Sequence, residues 1–401
     1  MKEHIDLADD PSSCCGCGAC AVICPKSAIT MEEDECGYIY PVIDSNKCIK
    51  CGKCLNNCSY KKESKWKNKP LIGYAAINTN DKMYGKSASG GVFSAIAASF
   101  ISSGAHICGA AEIMTDDLYT VRHVIGNDVA TLKKIQGSKY VQSDAYMSFG
   151  EIINLLNSGQ KVLFSGTPCQ VDALKTITGN PDNLYTIDLI CHGVPSQKMF
   201  NEFLGQLKKD LNAKISRFVF RFKSKNTKEF NAAVYCVKYY YLIPHALLSY
   251  YKLFLDGVIY RKNCYSCPYA CEMRVADITI GDFWGIEEQH SDDVNEGRID
   301  LSKCWSGLLV NTDKGEELLR ENLEFLNIVS SDYSKIAAKN KQLRVPSQEP
   351  DERDHILSIY RSEGYRGVER QFRKKMGGPI KFLIKRMIYI KKYKSGDDNE
   401  F

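Results

Sequence analysis

Two cysteine runs repeat at a fixed offset in this chain. The first, CCGCGACAVICP, supplies Cys14, Cys17, Cys20 and Cys24, and the second, CIKCGKCLNNCS, supplies Cys48, Cys51, Cys54 and Cys58. Cys48 stands 34 residues after Cys14, and the other three pairs keep that offset. Each run reads C-x2-C-x2-C-x3-C, a spacing that holds 4Fe-4S cubes. Three close thiolates take three corners of a cube, and the fourth corner comes from the last cysteine of the other run. Cys14, Cys17, Cys20 and Cys58 then hold one cluster, and Cys48, Cys51, Cys54 and Cys24 the other. The chemistry this implies is one-electron transfer. Zinc knots pair cysteines differently, as two separated couples. Cys15 and Cys36 are left over.

Four more cysteines are candidates for a third site. Cys169 and Cys191 each follow an apolar run, FSGTPCQ and DLICHGVPS, while Cys264 and Cys267 form a C-x2-C in NCYSCPYA. Open α/β sheets put their chemistry at the carboxyl ends of strands, so the four thiols can meet. The residues alone leave two readings open: a third cluster, or inert Cys169 and Cys191 with zinc or nothing at the pair. Cys271 competes with Cys267. Cys108, Cys236 and Cys304 read as core residues.

A second kind of chemistry is suggested by GKSASGG, Gly85–Gly91, a Gly/Ser loop ahead of a helix from Val92. Helix-terminal amides favour an anion such as a cofactor phosphate. Ser87, Ser89, Gly90 and Gly91 would cradle it, although many such loops merely start helices. Ser138, Lys139 and Tyr140 in QGSKYVQSD, and Gly166, Thr167 and Gln170 around Cys169, are further candidates. Lys139 would stabilise an anionic ring or stand solvated on a loop, and His192 would donate protons near neutral pH or serve a purely structural role. Asp277, Asp282 and Trp284 in ADITIGDFWG are read as bordering the same cleft.

These elements must be positioned by something larger. The chain has 401 residues, 44% hydrophobic, enough for two or three domains. Eighteen cysteines in a chain of this length point to metal or redox chemistry rather than a disulfide framework. MKEHIDLADDPSS shows no signal peptide and no 18-residue apolar run occurs, so the expected compartment is cytoplasmic. Residues 361–401 carry 12 Lys/Arg and 5 Asp/Glu against a whole-chain charge of +5, so the body is slightly acidic and presents no nucleic-acid face.

The expected fold is an α/β core with a mostly parallel sheet, preceded by a small α+β ferredoxin-type domain and followed by a helical tail. The expected boundaries are 1–65, 66–335 and 336–401, with Lys61 to Pro70 a charged linker. LIGYAAI, KVLFSG and LYTIDLI read as buried strands alternating with helices. Thr167 caps a helix with Pro168 at its first position. ISRFVFRFK and AAVYCVKYY read as an antiparallel pair. The aromatic stretch Tyr239 to Tyr260 reads as a buried helix. Residues 345–401 read as helical and peripheral. Ile380, Leu383, Ile384, Met387 and Ile388 fall at helical spacing among lysines, a basic amphipathic helix suited to a membrane surface or a partner; a docked helix with a solvated basic face is the alternative. SGDDNEF reads as disordered.

The motif set GKSASGG, QGSKYVQSD, FSGTPCQ, DLICHGVPS and NCYSCPYA with ADITIGDFWG resembles the coenzyme F-420 hydrogenase/dehydrogenase beta-subunit family over residues 1–310. The resemblance implies FAD, and a 4Fe-4S cluster on Cys169, Cys191, Cys264 and Cys267. It implies an iron–sulfur flavoprotein oxidoreductase working between a carrier, ferredoxin or the deazaflavin coenzyme, and an organic substrate it does not identify. An electron-transfer subunit with no substrate of its own is the alternative. No G-x-G-x-x-G dinucleotide fingerprint is present.

Overall fold

The computed structural model describes residues 7, 10–115, 118–224 and 227–394. The first six residues, on which the signal-peptide reading rests, and the closing SGDDNEF lie outside the described residues.

The N-terminal unit repeats itself in three dimensions as it does in sequence. Short helices Ala19–Ile23 and Lys53–Asn56 follow the two cysteine turns, and β1 (Ile29–Glu33) pairs antiparallel with β2 (Ile39–Ile43). Gly18 and Gly52, equivalent in the repeat, both cap these helices in the left-handed region, at φ 72° and 71°. A side chain would be strained there. Lys61 to Pro70 is more than a linker. Ser64 Oγ donates to Asp172 at 2.8 Å, Lys67 reaches the Pro268 carbonyl at 3.0 Å, and Asn68 pairs through its backbone with Arg274.

The body then lays down β3 (Ile72–Asn78), β4 (His106–Thr115), β5 (Leu118–Gly126), β6 (Val162–Gly166) and β7 (Leu184–Leu189). A second group follows, β8 (Ile215–Ser224), β9 (Thr227–Cys236) and β10 (Tyr239–Pro244). The last strands are β11 (Ile278–Asp282), β12 (Ser306–Val310), β13 (Leu326–Ser331) and β14 (Lys391–Lys394). Eight of them form one sheet in the order β13-β3-β12-β11-β7-β6-β4-β5. The strands β4, β6, β7 and β11 run parallel at its centre, and antiparallel strands extend both edges. The sheet is therefore mixed, with parallel strands confined to the middle. The central strands are largely apolar because helices cover both faces. The helix Val92–Ser102 packs on one side with Leu163 and Ile187, and helices Tyr146–Asn157 and Pro168–Thr178 on the other with Val162 and Phe164.

The smaller sheet, β14-β10-β9-β8, packs against helices Gln197–Leu211, Ser249–Leu255 and Arg353–Lys375. Two expectations are corrected here. AAVYCVKYY is split by a turn between β9 and β10. The stretch from Tyr239 starts as that strand, passes through a 3-10 turn at His245–Leu247 and becomes α-helical at Ser249, because YYYLIP is rich in strand-favouring residues and Pro244 ends the run. The C-terminal region is also less peripheral than its charge suggests. Ile356, Leu357, Tyr360, Tyr365, Val368 and Phe372 are buried in the main core, and β14 adds a strand to a segment read as helical. Among the described residues no helix is long and apolar enough to cross a membrane.

Candidate redox site

The carboxyl ends of β6, β7 and β11 converge, as the open-sheet rule requires. A cavity of about 280 Å³ opens there, between them and the Gly/Ser loop after β3. Of the residues expected around a cofactor, Ser87, Ser89, Gly91, Ser138, Lys139, Tyr140, Gly166, Thr167, Gln170 and His192 line it, as do Asp282 and Trp284. Gly90 does not. It is pressed against the sheet, where an added Cβ would meet the Ala76 carbonyl oxygen at 2.3 Å.

Asp277 does not border the cleft either. It sits at the amino end of β11, where its carboxylate accepts from Thr186 N at 2.8 Å, Thr186 Oγ1 at 2.6 Å and Lys175 Nζ at 3.2 Å. The two aspartates flank one strand and so stand at its opposite ends. Lys139 lines the cavity, but its ammonium caps the helix Val129–Ile135, donating to the carbonyls of Lys134, Ile135 and Gln136 at 2.6–2.9 Å. Burial pulls its pKa down to about 7.

Thr167 N donates to Gln170 Oε1 at 3.0 Å, closing the N-terminus of the helix Pro168–Thr178, and Gln170 Nε2 ties that turn to Ser143. The Thr167 hydroxyl lies 3.2 Å from Cys169 Sγ. This turn therefore fixes both the cavity wall and a candidate ligand. Behind it a second, smaller cavity is lined by Cys169, Cys191, Cys264 and Cys267. Thr167, His192 and Val194 belong to the walls of both. Burial raises the Cys191 thiol, and pushes Cys264 up to about 12 and Cys267 to about 11. Cys271 is not in this wall; its thiol contacts the carbonyls of Pro268 and Met273 at 3.5 Å.

The N-terminal cysteines fall into two groups. Cys24, Cys48, Cys51 and Cys54 line one small cavity near the surface, with Cys51 exposed and Lys26 and Lys53 beside it. Cys14, Cys17, Cys20 and Cys58 form the other group, each thiol within electrostatic reach of its neighbours. Backbone amides approach two ligand sulfurs, Gly16 N to Cys14 at 3.4 Å and Ala28 N to Cys24 at 3.3 Å. Such amides stabilise thiolate charge on a cluster. Among the described residues no group of three or more His, Cys, Asp or Glu side chains is placed to hold a single metal ion. A four-iron cube is wider, because each ligand sulfur binds its own iron corner.

Three residues of this region carry no signal in the sequence pattern or only a weak one. Cys15, spare in the ligand register, is buried and lines the third thiol cavity, its thiol within hydrogen-bonding reach of Cys17 and Cys169. Arg261 is wholly buried. It donates to Ile39 O at 2.9 Å, Cys14 O at 3.0 Å, Gln142 Oε1 at 3.1 Å and Asn263 Oδ1 at 3.2 Å. All four acceptors are neutral, and among the described residues it forms no ion pair. Nothing in its local sequence, YRKNC, marks it as buried. Arg221 pairs with Asp282 on the cavity wall and also lines an adjoining cavity of about 170 Å³. Lys86, Lys133, Arg217 and Lys223 line that second space too, with no carboxylate among its walls. The alternation of Arg217, Arg221 and Lys223 along β8 was the signal available for it.

The fold and its grouped thiols define an iron–sulfur electron-transfer protein. Residues 13–62 match the model of the 4Fe-4S dicluster domain, and residues 159–335 match that of the coenzyme F420 hydrogenase/dehydrogenase family, C terminus of the beta subunit. The chain thus carries a domain of that beta-subunit family behind a dicluster domain, and it is related to the F420 hydrogenase beta subunit. An uncharacterized protein of Methanocaldococcus jannaschii is 26% identical over 213 residues, 46% of this chain and 59% of that protein. The chain therefore spans under two thirds of that relative's length. An uncharacterized ferredoxin of the same organism is 35% identical over 54 residues, 14% of this chain and 69% of the ferredoxin. A chain in a structure of the F420-reducing [NiFe] hydrogenase complex from Methanosarcina barkeri superposes with a TM-score of 0.42 at 16% identity, covering 79% of this chain and 94% of that one.

Proposed function

We propose that this protein is an iron–sulfur flavoprotein oxidoreductase that relays electrons between an external carrier and an organic acceptor. The observation that carries the reading is continuity. The surface thiol group, the inner thiol group, the third thiol cavity and the large cavity follow one another. Cys15 joins the second to the third, and Thr167, His192 and Val194 join the third to the fourth.

The donor sets fit the proposed cofactors. Cys24, Cys48, Cys51 and Cys54 would hold the outer cluster, Cys14, Cys17, Cys20 and Cys58 the inner one, and Cys169, Cys191, Cys264 and Cys267 the third. Clusters supply one-electron transfer and a flavin converts it to two-electron chemistry. A volume of about 280 Å³ suits a ring system rather than a whole dinucleotide. The adjoining cationic space around Arg217, Arg221 and Lys223 suits phosphates of FAD or an acidic acceptor. Asp282 holds the Arg221 guanidinium at the junction. Exposed Cys51 with Lys26 and Lys53 offers a docking point to an acidic carrier such as a ferredoxin, and the deazaflavin coenzyme is the other candidate.

The test is anaerobic titration of the full chain with FAD, followed by flavin fluorescence. Quenching at about one flavin per chain, abolished by Ser138→Trp in the cavity wall, supports the proposal. An iron-loaded protein that leaves FAD fluorescent and unbound would reduce it to an electron-transfer subunit serving a partner's active site.

A further inference from the structure

The helix Pro379–Tyr389 is docked by one face and bare on the opposite one. Phe382 is buried against Phe372, with ring centroids 5.8 Å apart, and Arg386 pairs with Asp210 at 2.6 Å. At 3.6 residues per turn, Ile380, Leu383, Ile384, Met387 and Ile388 fall on the side away from Phe382. Their exposures are 74%, 59%, 50%, 77% and 64%, so among the described residues nothing covers them. Isolated exposed apolar residues need no explanation, but a contiguous stripe marks an interaction surface.

The charge around the stripe has one sign. Residues 370–394 contain 10 Lys/Arg and no Asp or Glu. Four of these cations are already paired with carboxylates outside the segment, Arg370 with Glu363, Arg373 with Asp210 and Glu369, Lys375 with Glu352, and Arg386 with Asp210. Lys381 borders the apolar stripe and forms no ion pair among the described residues, while half-buried Lys385 donates to the Met376 carbonyl at 3.4 Å. Lys391, Lys392 and Lys394 follow in exposed β14, and exposed Tyr389 lies between the two groups. With 11 residues the helix is too short to span a bilayer.

We propose that this helix is an interfacial membrane anchor, lying along an anionic lipid surface. Its Ile380–Ile388 stripe would enter the acyl boundary, and Lys381 and the β14 lysines would meet lipid phosphates. Apolar burial and cationic attraction are the two terms that bind such helices. A protein groove would satisfy the stripe equally well, but it would not by itself account for a run of cations without a carboxylate. The proposal is independent of the electron relay.

The test is co-sedimentation of the full iron-loaded chain with vesicles, either phosphatidylcholine alone or phosphatidylcholine with phosphatidylglycerol. Binding to the anionic vesicles, weakened about tenfold or more by high salt and by Leu383→Glu with Met387→Glu, is expected. Both positions are exposed, so iron content should not change and serves as the check on folding. No binding to anionic vesicles, or binding indifferent to the two substitutions, would overturn the proposal. So would self-association in solution that the same substitutions abolish, since the stripe would then be covered by a second copy.

Discussion

Replacing Asp277 by asparagine tests whether this residue is scaffold or site. Lys175 and Asp277 side chains are each only 2% exposed, and the pair is 3.2 Å apart. The carboxylate also accepts both the amide and the hydroxyl of Thr186 and the hydroxyl of Thr312 at 3.1 Å. Asparagine retains an oxygen for Thr186, but leaves the buried Lys175 ammonium without its direct ion-pair partner. Breaking a buried pair from one side costs about 3–5 kcal/mol. Urea unfolding of Asp277→Asn should show a lower midpoint at an unchanged slope. Pairing it with Lys175→Met should recover much of the loss, because the stranded charge is then gone. FAD binding by the folded fraction should be unchanged, since Asp277 is at the far end of β11 from the cavity. A variant within about 0.5 kcal/mol of wild type would show that the pair does not carry the charge balance argued for it.

Three further outcomes are expected. Cys191→Ser should lower iron by about four atoms per chain while Cys271→Ser leaves it unchanged, measured by iron analysis of anaerobically purified protein. Arg261→Gln removes a buried cation beside the Cys14 carbonyl. The inner cluster should become harder to reduce by about 59 mV, a tenfold change for one electron, in an EPR-monitored titration that leaves the outer cluster unmoved. Burial raises the Asp144 carboxyl to about 6. Its folded pKa lies above the unfolded one, so its contribution favours the fold at low pH and is lost as pH rises from about 4 to 6. Asp144→Asn should therefore stabilise by about 1 kcal/mol at pH 7 and not at pH 4, in thermal unfolding at the two pH values.

The ligand register was legible because cluster chemistry dictates spacing. The crosswise exchange of Cys24 and Cys58 is the arrangement that two-cluster spacing implies. The apolar strands and the Thr167 turn were legible because burial on both faces and helix capping each leave a local signature. The fate of Asp277 could have been read too: five residues along an extended strand is about 16 Å, which puts Asp277 and Asp282 at opposite ends. Arg261 and Cys15 could not. Their roles depend on the N-terminal unit packing into the body, where Tyr38 Oη donates to the Ile259 carbonyl at 3.2 Å and Ser196 Oγ to that of Cys36 at 2.7 Å. Contacts across 160 or more residues leave no local pattern. The Tyr239–Tyr260 stretch was misjudged because aromatic residues favour strands and buried helices alike, and only the turn at Val237–Lys238 and Pro244 separates them.

In the proposed relay three clusters lead to a flavin. Iron and flavin counted per chain in the same anaerobic preparation test it most directly. About 12 irons with one flavin is the expected result. About 8 irons with no flavin would contradict it, leaving a two-cluster carrier whose four inner thiols and adjoining cavity serve some other purpose.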